Sequence, residues 1–284
     1  MLLGEFFSAG VPSCESMKNI RVDLRYDGSR YWGWQIQPDR ETVQGVLTKA
    51  FASLFGEKLR ITGCSRIDRG AHAYRYTASV RIPDGFPDEN IHLLKDFLNS
   101  KLPLDIRILS VESAKENFDA RKDAIWRKYR YFVVPSDNPF IQRYATGIFE
   151  RDFEKVVSNV NRVRQAASLL CGTKNFLGFS TREILKEKRN PVRTIYDIRV
   201  FLKRWDFIGT PVLIFTVRGS SFLPYMIRKM IAFFLAVGRG EYLPGDAMAI
   251  LSGSLNFREI APPQGLYLWR VAFREDFSRE SLRE

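Results

Sequence analysis

The chain has 284 residues, 45% hydrophobic and 27% charged, which is the composition of an ordinary folded protein and argues against disorder. Forty-four Lys and Arg against thirty-two Asp and Glu leave a net charge of +12, so a polyanion is the natural partner, with nucleic acid ahead of an anionic membrane surface. Three scattered cysteines (Cys14, Cys64, Cys171) and two histidines (His72, His92) provide neither a disulfide framework nor a zinc spacing, and the longest apolar run, Met230 to Val237, is too short to span a bilayer.

Residues 1–17 read as a disordered extension: Glu5 interrupts the apolar residues Leu2, Leu3, Phe6 and Phe7, which makes a poor signal peptide, and Met17 is an alternative start. A reducing, cytoplasmic location follows as the expectation. Residues 20–26, IRVDLRY, alternate with period two and end at Asp27-Gly28, which predicts a strand entering a turn. From Thr42 to Phe55 the apolar positions recur at helical spacing, with Gly56 as the stop. Tyr74–Ile82 reads as a strand with Tyr74, Tyr76, Ala78, Val80 and Ile82 on one face. Asp88 or Asn90 is placed to cap a helix through Leu98, followed by strands at Ile106–Val111 and Tyr129–Val134.

The second half repeats this pattern. A helix is expected over Phe153–Leu170, stopped by Gly172, with strands at Thr194–Leu202 and Val212–Val217. Ser220 or Ser221 would cap a helix that has Pro224 in its first turn and Gly238 beyond its end, and Leu266–Phe273 is a last strand. The pattern predicts an α+β protein of two similar domains, 18–115 and 116–284, with a groove between them.

Residues 63–73, GCSRIDRGAHA, set one carboxylate, Asp68, between Arg66 and Arg69, with Gly70 available for an unusual backbone conformation. Guanidinium neighbours favour an ionised carboxylate suited to nucleophile or base work; a surface turn with a local ion pair reads the same way. Residues 118–134, FDARKDAIWRKYRYFVV, interleave Arg121, Lys122, Arg127, Lys128 and Arg130 with Trp126, Tyr129, Tyr131 and Phe132. Cations neutralise phosphates and rings stack on unpaired bases, which suits looped or single-stranded RNA; in a strand, half of these rings must instead face the core. KEKRNPVRTI, residues 186–195, is a charged loop, and in FLPYMIRKMI, residues 222–231, Arg228 sits on an apolar helix where it needs either a partner such as Asp68 or a route to solvent.

Taken in order, RYDGSRYWGWQIQP with TVQG, GCSRIDRGAHA, LNSKLPLDIRI, FDAR with KYRY, NPVRTI, SFLPYMIRKMI and GLYL resemble the tRNA pseudouridine synthase A family from about Ile20 to Phe273. The resemblance implies the pseudouridine synthase fold: two related α+β domains, a mainly antiparallel sheet with helices on one side, and a catalytic cleft between them. It implies isomerisation of uridine to pseudouridine in the anticodon arm of tRNA by a homodimer without cofactor or metal. It makes Asp68 the essential aspartate, Arg66 the residue that displaces the target base, Tyr129 the ring beside the uracil, Arg228 the partner of Asp68 and Leu266 an apolar wall. Arg193, Arg69, His72 and Lys128 are then expected on the substrate. The family's loop usually reads GRTD, with an alanine or lysine next and then GVH, so Ser65, Ile67, Arg69 and Ala71 depart from it, whereas Arg66, Asp68, Gly70 and His72 remain. The rivals are a non-catalytic RNA-binding or RNA-chaperone protein of the same fold, and a glycosidase-type hydrolase that would need a second carboxylate among Asp23, Asp27 and Asp119.

Overall fold

The computed structural model describes residues 16–136, 138–181, 184, 190–206 and 209–274. Residues 1–15 and Lys186–Arg189 of the charged loop lie outside them. The described residues form two compact units, one comprising those up to 69 with 73–124, the other 70–72 with those from 125 onward.

In the first unit, β1 (Met17–Tyr26) lies between β3 (His72–Pro83) and β4 (Ile106–Ser113), antiparallel to both, and β2 (Ile61–Gly63) pairs with β3. Ile20, Val22 and Leu24 are fully buried, as period-two alternation requires of a strand with one covered face. The strand begins earlier than its hydrophobic pattern: Met17 already pairs with Pro83. The register shifts between Leu24 and Tyr26, so that Tyr26 faces Ala73. Tyr76, Ala78, Val80 and Ile82 are buried as expected, but Tyr74, 43% exposed, is not on their face and lies beneath the Arg25 guanidinium, because the bulge breaks the alternation there.

Helix α1 (Val43–Phe55) starts where the Thr42 hydroxyl accepts from the Gly45 N–H, and it stops at Gly56 in the left-handed region (φ 74°). Neither Asp88 nor Asn90 caps a helix. A 3₁₀ segment, Asp88–Leu93, follows Pro87 and leads into α2 (Leu94–Lys101), whose Leu94 and Leu98 are buried.

In the second unit the strand order is β10 (Leu266–Phe273), β5 (Ala124–Pro135), β9 (Thr210–Gly219), β8 (Val192–Trp205), β7 (Gly172–Asn175), with β6 (Thr146–Ile148) parallel to β5. The expected helix over 153–170 is two helices, α3 (Glu150–Ser158) and α4 (Val160–Leu169). Asn159 leaves the helical region between them, and its side-chain amide donates to the Gly238 carbonyl at 2.8 Å. Helix α5 (Met226–Arg239) starts later than predicted, at Tyr225 in the left-handed region (φ 58°), without a serine cap. Gly238 is inside it and Gly240 (φ 85°) ends it. Helix α6 (Asp246–Ser252) follows.

Alternation sorts the second sheet into two faces. Tyr129, Tyr131 and Val133 of β5 and Leu213, Phe215 and Val217 of β9 are buried, and Phe215 stacks on Phe234 of α5. The opposite face carries Phe132, Val134, Val212 and Ile214 in a second apolar cluster with Ile141 and Ala145, packed against Trp205, Tyr267 and Trp269. Among the described residues no helix is long and apolar enough to cross a membrane.

Candidate active site

In the first unit the loop carrying Asp68 is held by its backbone and by apolar side chains. The Trp34 N–H donates to the Ile67 carbonyl at 3.1 Å, and Gly33 adopts φ 90° directly beneath it, where an added Cβ would stand 2.5 Å from that oxygen. Ile67 is buried, so its side chain anchors the loop by packing, a role that needs no hydroxyl. Upstream, the Tyr76 hydroxyl donates to the Ser65 carbonyl, and Tyr76 stacks on Trp34 with centroids 4.0 Å apart. Asp68 is half-buried between exposed Arg66 and Arg69. The Arg69 guanidinium lies 3.7 Å from the Trp32 ring centroid and that of Arg40 at 3.9 Å, so an indole holds two cations beside the carboxylate's loop.

The other carboxylates proposed for a two-carboxylate mechanism have structural work. Asp23 accepts from Thr77 at 2.6 Å and pairs with Arg21, Asp27 accepts from the Ser29 N–H, and Asp119 accepts from the N–H groups of Arg121 and Lys122.

In the second unit, Tyr129 is 4% exposed and meets Phe222 edge to face at 5.1 Å. Leu266 is buried at the start of β10. Arg228 is half-buried; its Nε donates to the Ala261 carbonyl at 2.7 Å while the Ala261 N–H returns a bond to the Arg228 carbonyl at 3.1 Å. His72, 1% exposed, bonds through Nε2 to the Gln264 carbonyl at 3.2 Å and stacks on Tyr267. Arg193 directs Nη1 to the carbonyls of Asn190 and Val192, tying the end of the charged loop.

Lys128 belongs to a basic and aromatic surface on the sheet face opposite Tyr129. Lys128 pairs across the ladder with Arg218, which pairs in turn with Asp197, and Arg130 faces Thr216, which faces Arg199. The Arg218 Nε lies 2.5 Å from the Asp197 carboxylate, and Arg130 stands over Trp269 at 3.9 Å. Burial pushes the Lys128 ammonium below the ordinary lysine range, opposed by Asp197 and reinforced by Arg218, Arg270 and Arg130. Arg218 was invisible to the strand pattern because it stands one residue past the predicted end of β9. Trp32 lies in the aromatic-rich run Tyr31–Trp34, but its contacts with Arg40 and Arg69 form only in the fold. Among the described residues no three His, Cys, Asp or Glu side chains converge as metal ligands.

A loop carboxylate flanked by arginines, together with an RNA-suited basic and aromatic sheet, is the equipment of an enzyme that works on nucleic acid, and the profile described as tRNA pseudouridine synthase matches residues 166–274. Curated relatives named tRNA pseudouridine synthase A extend the similarity to about nine-tenths of the chain. The relative from Oceanobacillus iheyensis is 35% identical over 267 residues, 92% of this chain and 98% of its own. The Brachyspira hyodysenteriae relative is 33% identical over 266 residues, 92% and 100%, and the Aquifex aeolicus relative 30% identical over 257 residues, 90% and 99%. The chain belongs to the tRNA pseudouridine synthase A family.

Proposed function

We propose that this protein isomerises uridine to pseudouridine in the anticodon arm of tRNA, with Asp68 as the catalytic carboxylate. The observation that carries the reading is the similarity of over nine-tenths of the chain to synthases of this kind, combined with a half-buried Asp68 on a loop braced by Gly33, Trp34 and Ile67. The reaction breaks the base-to-ribose bond, turns the uracil and reattaches it through carbon, which calls for no redox carrier or energy source. Bringing a stacked base out of its helix costs a few kcal/mol, so the enzyme needs a group to displace it and a ring to receive it. In this reading Arg66 displaces the base, Tyr129 packs beside the uracil, and Leu266 supplies an apolar wall. Arg228, already oriented by its exchange of bonds with Ala261, favours the ionised form of Asp68. Asp68 then attacks the ribose carbon, attacks the uracil ring or removes a ribose proton; each route starts from the same ionised carboxylate.

Lys128, Arg69, Arg193 and His72 serve tRNA binding in this reading, His72 through the Gln264 segment to which it bonds, and the enzyme acts in the cytoplasm as a homodimer sharing one tRNA, a state that its mass in solution tests. Asp68→Asn is expected to abolish pseudouridine formation in purified tRNA while tRNA affinity stays within about twofold, since the change removes a charge from the chemistry and little from the interface. Turnover by that variant sinks the assignment. Binding without pseudouridine in the wild type favours the non-catalytic RNA-binding reading instead.

A further inference from the structure

One short backbone segment of the second unit, Ala261–Gly265, touches the elements that carry Arg228, Tyr129 and His72 and leads directly into Leu266. Ala261 exchanges two bonds with Arg228. Pro262 accepts from the Tyr131 hydroxyl at 2.7 Å. The Gln264 carbonyl accepts from His72 Nε2 at 3.2 Å, and Gly70, at φ 76°, comes so close to Pro263 that an added Cβ would stand 3.2 Å from its ring. Gly265 is packed so tightly that an added Cβ would meet the Phe132 carbonyl, the Thr146 hydroxyl and the Tyr131 ring at 2.8 Å each. Leu266 follows directly, and along the chain Gly70 is two residues from Asp68.

Tyr131 is the side chain on which this segment rests. It is 1% exposed, and its hydroxyl also lies 2.5 Å from the Thr146 hydroxyl. Proton bookkeeping assigns the directions. A phenol has one proton, the Pro262 carbonyl can only accept it, so Thr146 must donate to the phenol oxygen. The bonds thus run in one direction, from Thr146 to Tyr131 to the Pro262 carbonyl, around two buried side chains, where such bonds reinforce one another and a missing member is costly. Nothing in the chemistry proposed for Asp68 uses this phenol, and burial raises its pKa, which keeps it protonated as a donor.

We propose that Tyr131 is a positioning residue of the synthase, acting through Pro262 to set the places of Arg228, Leu266 and the Gly70–His72 end of the Asp68 loop. This rests on the proposed function, and the measurement separates the two. Pseudouridine formation is followed in a single turnover with enzyme saturating over tRNA, beside tRNA affinity and melting temperature. Tyr131→Phe keeps the ring and loses the proton; the rate constant is expected to fall about tenfold, as small misplacements of reacting groups do, with tRNA Kd unchanged within about twofold. A rate constant equal to that of the wild type, or a loss wholly matched by weaker tRNA binding, overturns the inference. If Tyr131→Phe does not fold, Thr146→Val takes its place, with a lowered rate restored by Thr146→Ser expected and an undiminished rate overturning it. A wild type that makes no pseudouridine overturns the proposed function and this inference together.

Discussion

At Lys229 helix α5 turns an ammonium group inward. The residue is 9% exposed, and its Nζ donates to the carbonyls of Ser180 at 3.0 Å and Phe257 at 3.3 Å. Two neutral acceptors replace its hydration incompletely, so burial lowers its pKa from the ordinary 10.5. In the window between the lowered folded pKa and 10.5 the unfolded chain binds the proton more readily, so stability rises with pH there. Lys229→Met removes the titrating group. The stability of the wild type relative to that variant, read from urea midpoints, is expected to be greater at about pH 10 than at about pH 7. An equal difference at both values would show that the ammonium is solvated in the folded protein. The neighbouring Arg228 drew attention in the sequence as the cation in an apolar helix, yet Lys229 is the more deeply buried of the two, because helix phase against the Ser180 and Phe257 segments decides which of two adjacent cations points inward.

At the scale of elements, the meeting of α3 and α5 turns on Gly238. Glycine inside a helix ordinarily costs about 0.5–1 kcal/mol relative to alanine. Here an added Cβ would stand 2.8 Å from both Val156 methyl carbons and 3.0 Å from its Cα, and overpacking of that kind typically costs about 1–3 kcal/mol. The second effect is the larger. Gly238→Ala is therefore expected to destabilise by about 1 kcal/mol in chemical denaturation, and the double change Gly238→Ala with Val156→Ala to recover part of that loss. Sequence reading took Gly238 for a helix stop, since a glycine after an apolar run usually is one. The stop is two residues later, and Gly238 instead lets a second helix approach, which is information held in Val156 and not in the neighbours of Gly238 along the chain.

Across the whole molecule, the excess of twelve positive charges sets a general attraction for RNA, and individual cations modulate it. Lys128 lies half-buried among Arg218, Arg270 and Arg130, so its charge is concentrated where others already act. Lys128→Ala is expected to weaken tRNA binding and to lower the slope of log K against log salt by about one, with the single-turnover rate at saturating enzyme nearly unchanged. An unaltered salt slope would remove Lys128 from the RNA interface.

Composition, periodicity and ordered motifs by themselves determined an α+β chain, its main strands and first helix, its basic character and its resemblance to a family, because these depend on local propensity and on alternation that any covered sheet imposes. Short strands such as β2, β6 and β7 left no pattern, since three or four residues are too few for a period to show and their pairing is supplied by β3, β5 and β8. Only tertiary structure turned Tyr74 outward, divided the helix at Asn159, set Lys128 across the ladder from Arg218, and gathered Tyr131, Arg228 and His72 on the Ala261–Gly265 segment. The physical reason is common to all four: bulges, close packing and bonds to backbone carbonyls join residues that are remote along the chain, and no local window contains both partners.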